Sequence, residues 1–464
     1  MNAGATMTTH RFADTFPDLE GRGVVVVGAG KSGRAAARLA AERGARVTLA
    51  DRGDIAASER LAGIRLHPGG HPPVLLDGAD LVVLSPGVPA TVDLAAEAGR
   101  RDLPVWAEVE LAFRFTRGMI VGITGSNGKS TVTSMTGAML RASGIPGGTG
   151  GNLDEPLAEL LASDAEDAVH ALELSSFQLE TIDTFRPRIA VALNLSPDHL
   201  DRHGTLDAYA AAKARIFENQ AGGDVAILNA DDAPSRVFEA VARANVHMIS
   251  TRVDVERGAY VRGGRLALRT RFGEDLIVSL DELSLPGEHN VSNALAAALA
   301  ARLSGATLDA IRATLRTFEP LAHRLEHVGT LDGVAYYDDS KATNPAATLP
   351  ALDAFTAGTI HLIVGGKDKG GDWDTLVAAT RARVRRILII GAETGPLVER
   401  FEGACDVLDC GTLEAAVEAG HGGARPGDVV LLSPACASFD QFDSFEHRGR
   451  VFREAVLALG ERHA

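Results

Sequence analysis

Residues 122–131 read Gly-Ile-Thr-Gly-Ser-Asn-Gly-Lys-Ser-Thr, a spacing suited to holding a phosphate. Glycines at this density let backbone N–H groups approach an anion with no Cβ in the way. A helix starting behind them adds its partial positive charge. The apolar run Met119-Ile120-Val121 precedes the loop and residues 132–143 carry a helical pattern, so the predicted context is strand, glycine loop, helix. Gly125, Ser126, Asn127, Gly128 and Thr131 are then candidates for the phosphate cradle. Lys129 would reach the β- and γ-phosphates, and the Ser130 hydroxyl could ligate Mg2+. The pattern departs from G-x-x-x-x-G-K-[ST], because Ile123 stands where the first glycine would. A nucleoside triphosphate is the starting hypothesis.

A second glycine pattern lies upstream. Val24-Val-Val-Val-Gly-Ala-Gly30-Lys-Ser-Gly33 reads as a buried strand running into a turn, and an alanine-rich helix is expected over residues 34–43. The next strand, residues 44–51, ends in Asp51. This is G-x-G-x-x-G with an acid about twenty positions on, the dinucleotide-binding fingerprint in its usual setting. Alone it predicts an NAD-dependent oxidoreductase. Its physical content is broader, a turn that holds a diphosphate beside an acid able to face a ribose, and a UDP group meets that description equally. A third strand, residues 79–85, leads into Ser85-Pro86-Gly87, a turn at the carboxyl end of a strand, where ligands of open α/β sheets bind.

Further chemistry sits at other strand ends. Residues 169–176 form an apolar strand closing on Glu173 and two serines; an acid there is costly unless paired or metal-bound. Beside a phosphate loop it is a natural Mg2+ ligand. The strand 189–194 leads to Asp198 and His199, and Lys213 lies on a helix expected over 206–219, where a solvated lysine is the local reading. Asn290 and Asn293, one turn apart, cap a helix over 294–304 or read a base edge, with capping favoured locally.

The elements that must position these residues alternate strand and helix throughout, which predicts α/β folds. A helix is expected over 106–115, and short antiparallel strands over 246–285. A hairpin at 325–337 opens a third α/β region whose strands end in Gly365-Gly-Lys-Asp-Lys369-Gly-Gly and Ser433-Pro-Ala-Cys-Ala-Ser438-Phe439. At 464 residues the length suits about three domains. The net charge of −15 disfavours a nucleic-acid binder. Three cysteines without metal or disulfide spacing fit a reducing compartment. No signal-peptide pattern opens the chain, and no apolar run reaches the ~18 residues of a membrane span.

Six segments in order now resemble one family. They are the loop at 122–131, Glu-Leu-Ser-Ser-Phe-Gln-Leu-Glu (173–180), Asp-His-Leu-Asp-Arg (198–202), Asp-Ser-Lys-Ala-Thr-Asn (339–344), Gly-Gly-x-Asp-Lys-Gly (365–370) and Ser-Pro-Ala-x-Ala-Ser-x-Asp-Gln-Phe (433–442). Together they resemble the Mur ligases of peptidoglycan synthesis, most closely the glutamate-adding type, from about residue 24 onward. The resemblance implies three domains: a Rossmann-like UDP-substrate domain (1–110), a central ATPase-type domain with a parallel sheet (111–320) and a Rossmann-like amino-acid domain (321–464). It implies a cytoplasmic, monomeric ligase that uses ATP and Mg2+ to join UDP-N-acetylmuramoyl-L-alanine and D-glutamate through an acyl phosphate.

By the same resemblance Lys129, Glu173, His199 and Lys213 are catalytic. Ser130, Glu173, His199 and a carbamylated Lys213 hold metal. Asn290, Asn293, His323, Arg324, Asp338 and Lys341 join the loop in binding ATP. Gly28, Lys31, Ser32, Asp51, Arg52, Ser85, Gly87 and Asn152 bind the UDP substrate, and Thr343, Lys369, Ser438 and Phe439 bind glutamate. Asp154, an acid where a small residue is expected, departs from the family pattern. Related alternatives are a folylpolyglutamate synthase and a Mur ligase for another amino acid. Outside the family stand the NAD enzyme and a non-catalytic nucleotide-binding regulator.

Overall fold

Four consecutive valines, Val24–Val27, are fully buried, as befits a strand covered on both faces. In the computed structural model, which describes residues 18–56, 61–152, 155–271, 273–285, 287–319 and 321–463, they form most of β1 (Gly23–Val27). There follow α1 (Lys31–Glu42), β2 (Arg46–Ala50), β3 (Arg65–His67), β4 (Leu81–Leu84), α2 (Asp93–Arg100), β5 (Val105–Ala107) and α3 (Glu108–Phe113). The strands make a parallel sheet of order β3-β2-β1-β4-β5. The order reverses beside β1, so the loops after β1 and β4 share the switch point where such sheets bind ligands. The helix expected over 106–115 is shorter, because Trp106 belongs to β5 and is buried there.

The second sheet begins with β6 (Met119–Thr124), α4 (Lys129–Ala142), β7 (Thr149–Gly151), α5 (Leu157–Leu160), β8 (Val169–Glu173), α6 (Ser176–Leu179) and β9 (Ile189–Ala192). It continues through α7 (Leu200–His203), α8 (Leu206–Ala214), β10 (Val225–Asn229), α9 (Val237–Val241), β11 (Asn245–Ser250), β12 (Gly258–Arg262), β13 (Arg265–Thr270), β14 (Gly273–Ser279), α10 (Glu288–Leu303) and α11 (Leu308–Thr317). Strand order is β14-β13-β12-β11-β10-β9-β6-β8-β7. The antiparallel patch expected over 246–285 is narrower than that: β11 and β12 run parallel to their predecessors, and only β12-β13-β14 is antiparallel. Helix α8 stops at Ala214, and residues 215–217 tighten into a 3-10 turn.

The third sheet has the order β15-β16-β20-β17-β18-β19. Its elements are β15 (Glu326–Leu331), β16 (Val334–Asp338), α12 (Pro345–Asp353), β17 (Ile360–Gly365), α13 (Trp373–Arg383), β18 (Val384–Ile390), α14 (Gly395–Phe401), β19 (Asp406–Gly411), α15 (Leu413–Gly423), β20 (Val429–Leu432) and α16 (Phe445–His463). The β15–β16 hairpin is antiparallel as expected, and the other pairings are parallel. Strand periodicity of two divides the core. Leu362, Val364, Ile387, Ile389 and Leu431 pack with α12, α13 and α14, while Ile363, Leu388, Ile390, Val430 and Leu432 pack with α15 and α16.

The described residues cluster in two compact units. One holds the first two sheets; the other holds the third, together with residues 195–209 and 284–291. Within the first unit α3 buries two acids. Glu110 accepts hydrogen bonds from the amides of Asp183, Thr184 and Phe185 and from Arg114, a full set of donors for a carboxylate in the core. Glu108 accepts from Gln178 Nε2 at 2.8 Å. Its other oxygen has no partner among the described residues, and burial pushes the carboxyl up to about 7.

Candidate functional site

Parallel pairing places several strand ends side by side. Ile123 pairs with Glu173, and Thr124 with Ala192, so the loop leaving β6 lies between the carboxyl ends of β8 and β9. The backbone there takes conformations only glycine adopts readily: Gly125 has φ +148° and Gly128, the N-cap of α4, has φ +85°. A methyl at Gly128 would sit 2.4 Å from Asn293 Oδ1, and one at Gly125 would sit 3.0 Å from Leu193 Cβ. The shifted glycines thus fit this loop and the wall behind it.

Asn194 clamps the loop from the end of β9. Its carbonyl accepts from Ser126 N at 3.0 Å, its Oδ1 from Asn127 N at 2.8 Å, and its Nδ2 donates to Asn127 O at 3.0 Å. Lys129 Nζ donates back to Gly125 O at 2.9 Å and Ser126 O at 2.8 Å, so its ammonium lies over the loop. Behind it Ser130 Oγ donates to Glu173 Oε2 at 2.6 Å, while Asn152 Nδ2 donates to Glu173 Oε1 at 2.9 Å. Leu153 and Asp154 lie outside the described residues. Glu173 is 4% exposed, so a hydroxyl and a carboxylate meet where water is scarce. Lys213, read locally as a solvated helical lysine, is 1% exposed and donates to Gly125 O at 2.8 Å. The structure therefore brings Ser130, Glu173, Asn152, Lys129 and Lys213 around one loop.

Asn290 and Asn293 are not caps. Helix α10 starts at Glu288, so both lie inside its opening turns, and Asn293 faces the glycine loop at Gly128. The helical pattern was masked because Glu288, His289 and Asn290 are polar, whereas the apolar run begins only at Ala294.

At the switch point of the first sheet, a methyl at Gly28 would lie 2.8 Å from both Ser85 Cβ and Val88 Cγ2; the two predicted loops touch. Asp51 is already engaged: its oxygens accept from Ala29 N at 2.6 Å and Gly53 N at 2.8 Å. Burial raises this carboxyl, but those amides and His71 outweigh it and hold it below its ordinary range. Asp51 thus braces the glycine loop, a role the ribose reading did not include. Lys31 and Arg52 are exposed beside it, with Ser32 half-buried.

In the second unit the strand ends converge again, since Leu432 pairs with both Asp338 and Ile363. Asp198 accepts from Lys369 Nζ at 2.7 Å and Asn344 Nδ2 at 2.9 Å, with His199 Nε2 at 3.6 Å. Burial pushes Asp198 up; Lys369, His199 and Asn344 together outweigh that and hold it below the usual carboxylate range. His199 has φ +56°, an uncommon conformation of the kind that accumulates at functional sites. His323 Nδ1 sits 2.7 Å from Asp338 Oδ2, which raises the imidazole against the opposing effect of burial. Lys341 N donates to His323 O at 3.1 Å, and Lys341 Nζ lies 4.9 Å from the Phe445 ring centre. Arg324 and Thr343 are half-buried, Ser438 is buried, and Phe439 is 72% exposed.

Several participants escaped the motif reading. Asn194 and Phe445 carry no spacing of their own, and only the end-of-strand position of Asn194 could have flagged it; Asn344 closes the 339–344 segment but was given no role there. Arg448, on a helix with ordinary charge content, gave no signal.

Three stretches match family descriptions: residues 22–106 the Mur ligase MurD-like N-terminal domain, 123–301 the Mur ligase middle domain, and 323–436 the Mur ligase glutamate ligase domain. The UDP-N-acetylmuramoylalanine–D-glutamate ligase of Pelotomaculum thermopropionicum is 44% identical over 450 residues, covering 95% of this chain and 99% of its own. That of Acidobacterium capsulatum is 45% identical, covering 95% and 97%. Among solved structures, UDP-N-acetylmuramate-alanine ligase MurC of Thermotoga maritima shares the fold with a TM-score of 0.59 at 18% identity, covering 94% of this chain and 99% of its own. The chain belongs to the Mur ligase family.

Proposed function

We propose that this ligase adds D-glutamate to UDP-N-acetylmuramoyl-L-alanine with ATP, in the cytoplasmic assembly of peptidoglycan precursor. The observation that carries the reading is the grouping of Lys129, Ser130, Glu173 and Lys213 around one glycine loop, in a chain matched nearly end to end by relatives bearing that name. Residues 1–110 would bind the UDP substrate through Gly28, Lys31, Ser32, Asp51, Arg52, Ser85 and Gly87, with Asn152 reaching it from the neighbouring sheet. Residues 111–320 would bind ATP and residues 321–464 glutamate, the latter through Thr343, Lys369, Ser438 and Phe439.

A carboxylate is a poor electrophile. Its oxygen therefore attacks the γ-phosphorus of ATP and ADP leaves, giving an acyl phosphate. The deprotonated amine of glutamate then attacks the acyl carbon; the tetrahedral intermediate collapses, the C–N bond stays, and phosphate departs with its electron pair and takes up the proton lost from nitrogen. Both steps build charge on oxygen. Lys129 holds the phosphates, and the loop amides, aligned by Asn194, hold the transferring group in place. Asp198 keeps Lys369 fixed for a substrate carboxylate.

Ser130 and Glu173 offer hard oxygens at 2.6 Å in a buried setting, a donor set that suits Mg2+. The ion would neutralise phosphate charge there. His199 and Lys213 are proposed for a second ion. An ammonium cannot ligate a cation, so Lys213 would serve as its carbamate, formed from CO2 and the neutral amine; its burial protects such an adduct from water.

Phosphate release from ATP, measured with UDP-N-acetylmuramoyl-L-alanine and a panel of amino acids, tests the reading. Turnover should require D-glutamate. Turnover with L-lysine or meso-diaminopimelate instead would overturn it.

A further inference from the structure

Arg448 is wholly buried, at 0% exposure, and no carboxylate pairs with it among the described residues. Its guanidinium instead spans three loops of the second unit. Nε donates to Ser340 Oγ at 3.0 Å and Nη2 to Ser340 O at 2.8 Å. Nη1 donates to Cys436 O at 3.1 Å and Gly365 O at 3.4 Å. Ser340 Oγ in turn donates to Phe445 O at 2.9 Å, closing the contact onto the first turn of α16.

Those three loops are the ones that leave β16, β17 and β20. They carry Lys341 and Thr343, Lys369, and Ser438 and Phe439 respectively, each within a few residues of an acceptor of Arg448. Burying a cation without a paired anion is costly, and an apolar side chain would fill a purely structural position at lower cost. Burial lowers the guanidinium, with Cys436, Asp440 and Asp338 opposing at longer range, only to about 10, so it stays charged at neutral pH. A fixed positive charge beneath loops that receive a dicarboxylate favours that ligand.

Resting on the proposed glutamate site, we propose that Arg448 is its positioning residue: by bridging the loops at Ser340, Gly365 and Cys436, and by its buried charge, it sets affinity for the amino-acid substrate without touching it. Lysine cannot replace it, because one ammonium on a flexible stem cannot serve three loops as a planar fork does.

The test compares wild type, Arg448→Lys, Arg448→Met and Ser340→Ala in steady-state assays that vary each substrate in turn, with a thermal melt for each protein. Arg448→Lys is expected to raise KM for D-glutamate by about tenfold, the size of one lost charge-assisted contact, while KM for the UDP substrate changes by less than about twofold. Arg448→Met should raise it further, and Ser340→Ala, which adds no charge to the core, by about threefold. If Arg448→Met does not fold, the lysine and Ser340 variants decide. Equal changes in every KM, or a fall in kcat that merely tracks the melting temperature, would overturn the proposal. Wild type without D-glutamate turnover would instead refute the functional reading on which it rests.

Discussion

The loop of residues 122–131 and the loops proposed for the amino acid both stand at the carboxyl ends of parallel strands, and they are built by opposite routes. The first is local. Ten consecutive residues supply the strand end, the two left-handed glycines, the lysine and the helix start, and the neighbouring strand ends only clamp it through Asn194 and Glu173. The second is assembled from separate segments spread between residues 198 and 448, held by charged pairs such as Asp198 with Lys369 and by the buried guanidinium of Arg448. A local site fails by losing its conformation. An assembled one fails by losing a charge partner, and so is tunable by pH.

The largest effect should come from the local site. Lys129→Ala is expected to lower kcat by about a thousandfold, the upper end of the roughly 10²–10³ that one preorganised donor at developing charge is worth; phosphate-release kinetics at saturating ATP would show it, and retention of a tenth of the activity would break the contrast. Next comes Lys213→Ala, expected to lose about a hundredfold or more, with partial recovery in a short carboxylate such as acetate. Loss without recovery would leave the carbamate unsupported, and full activity would exclude it.

These local features were the legible ones. The glycine spacing, the acid at the end of β8 and the alternation of strands and helices all read directly, because each depends on neighbours in sequence. The start of α10 did not, since its first turn is polar, and Trp106 was drawn into a helix although parallel pairing with β4 holds it in a strand. The burial of Lys213 was invisible to periodicity, and the resemblance to the family gave the residue a role without placing it in the core. Arg448 was beyond reach, because its partners, Ser340, Gly365 and Cys436, are brought together only by the order of strands in the third sheet.

The assembled site should respond more gently. Asp198→Asn removes the partner of Lys369, and KM for glutamate is expected to change by about ten- to a hundredfold, the range for breaking a buried charged pair partly compensated by substrate. Because the folded-state pKa of Asp198 lies below the ordinary value, its stabilising pairing is complete at neutral pH and is lost as pH falls through that lowered value. Unfolding midpoints in urea at neutral and acid pH should show a smaller acid sensitivity in the Asn variant; an unchanged one would contradict the pairing.

The smallest effect on turnover is expected at Glu108, whose carboxyl rises from 4.5 to about 7 in the folded chain. A raised carboxyl works the other way: the folded state holds its proton more tightly, so this contribution is full below pH 4.5 and is lost as pH rises to about 7. Glu108→Gln should remove that loss, worth about 3 kcal/mol at most, and leave stability flatter between pH 5 and 8, with activity changed less than about threefold.

The account turns on phosphoryl transfer to a substrate carboxylate at the loop of residues 122–131. Its most direct test starts from UDP-N-acetylmuramoyl-L-alanine with both oxygens of the alanyl carboxylate labelled with ¹⁸O, followed by mass spectrometry of the products. One labelled oxygen should appear in each released phosphate, and ADP should be the only nucleotide product. Unlabelled phosphate, or label carried into AMP, would contradict the account.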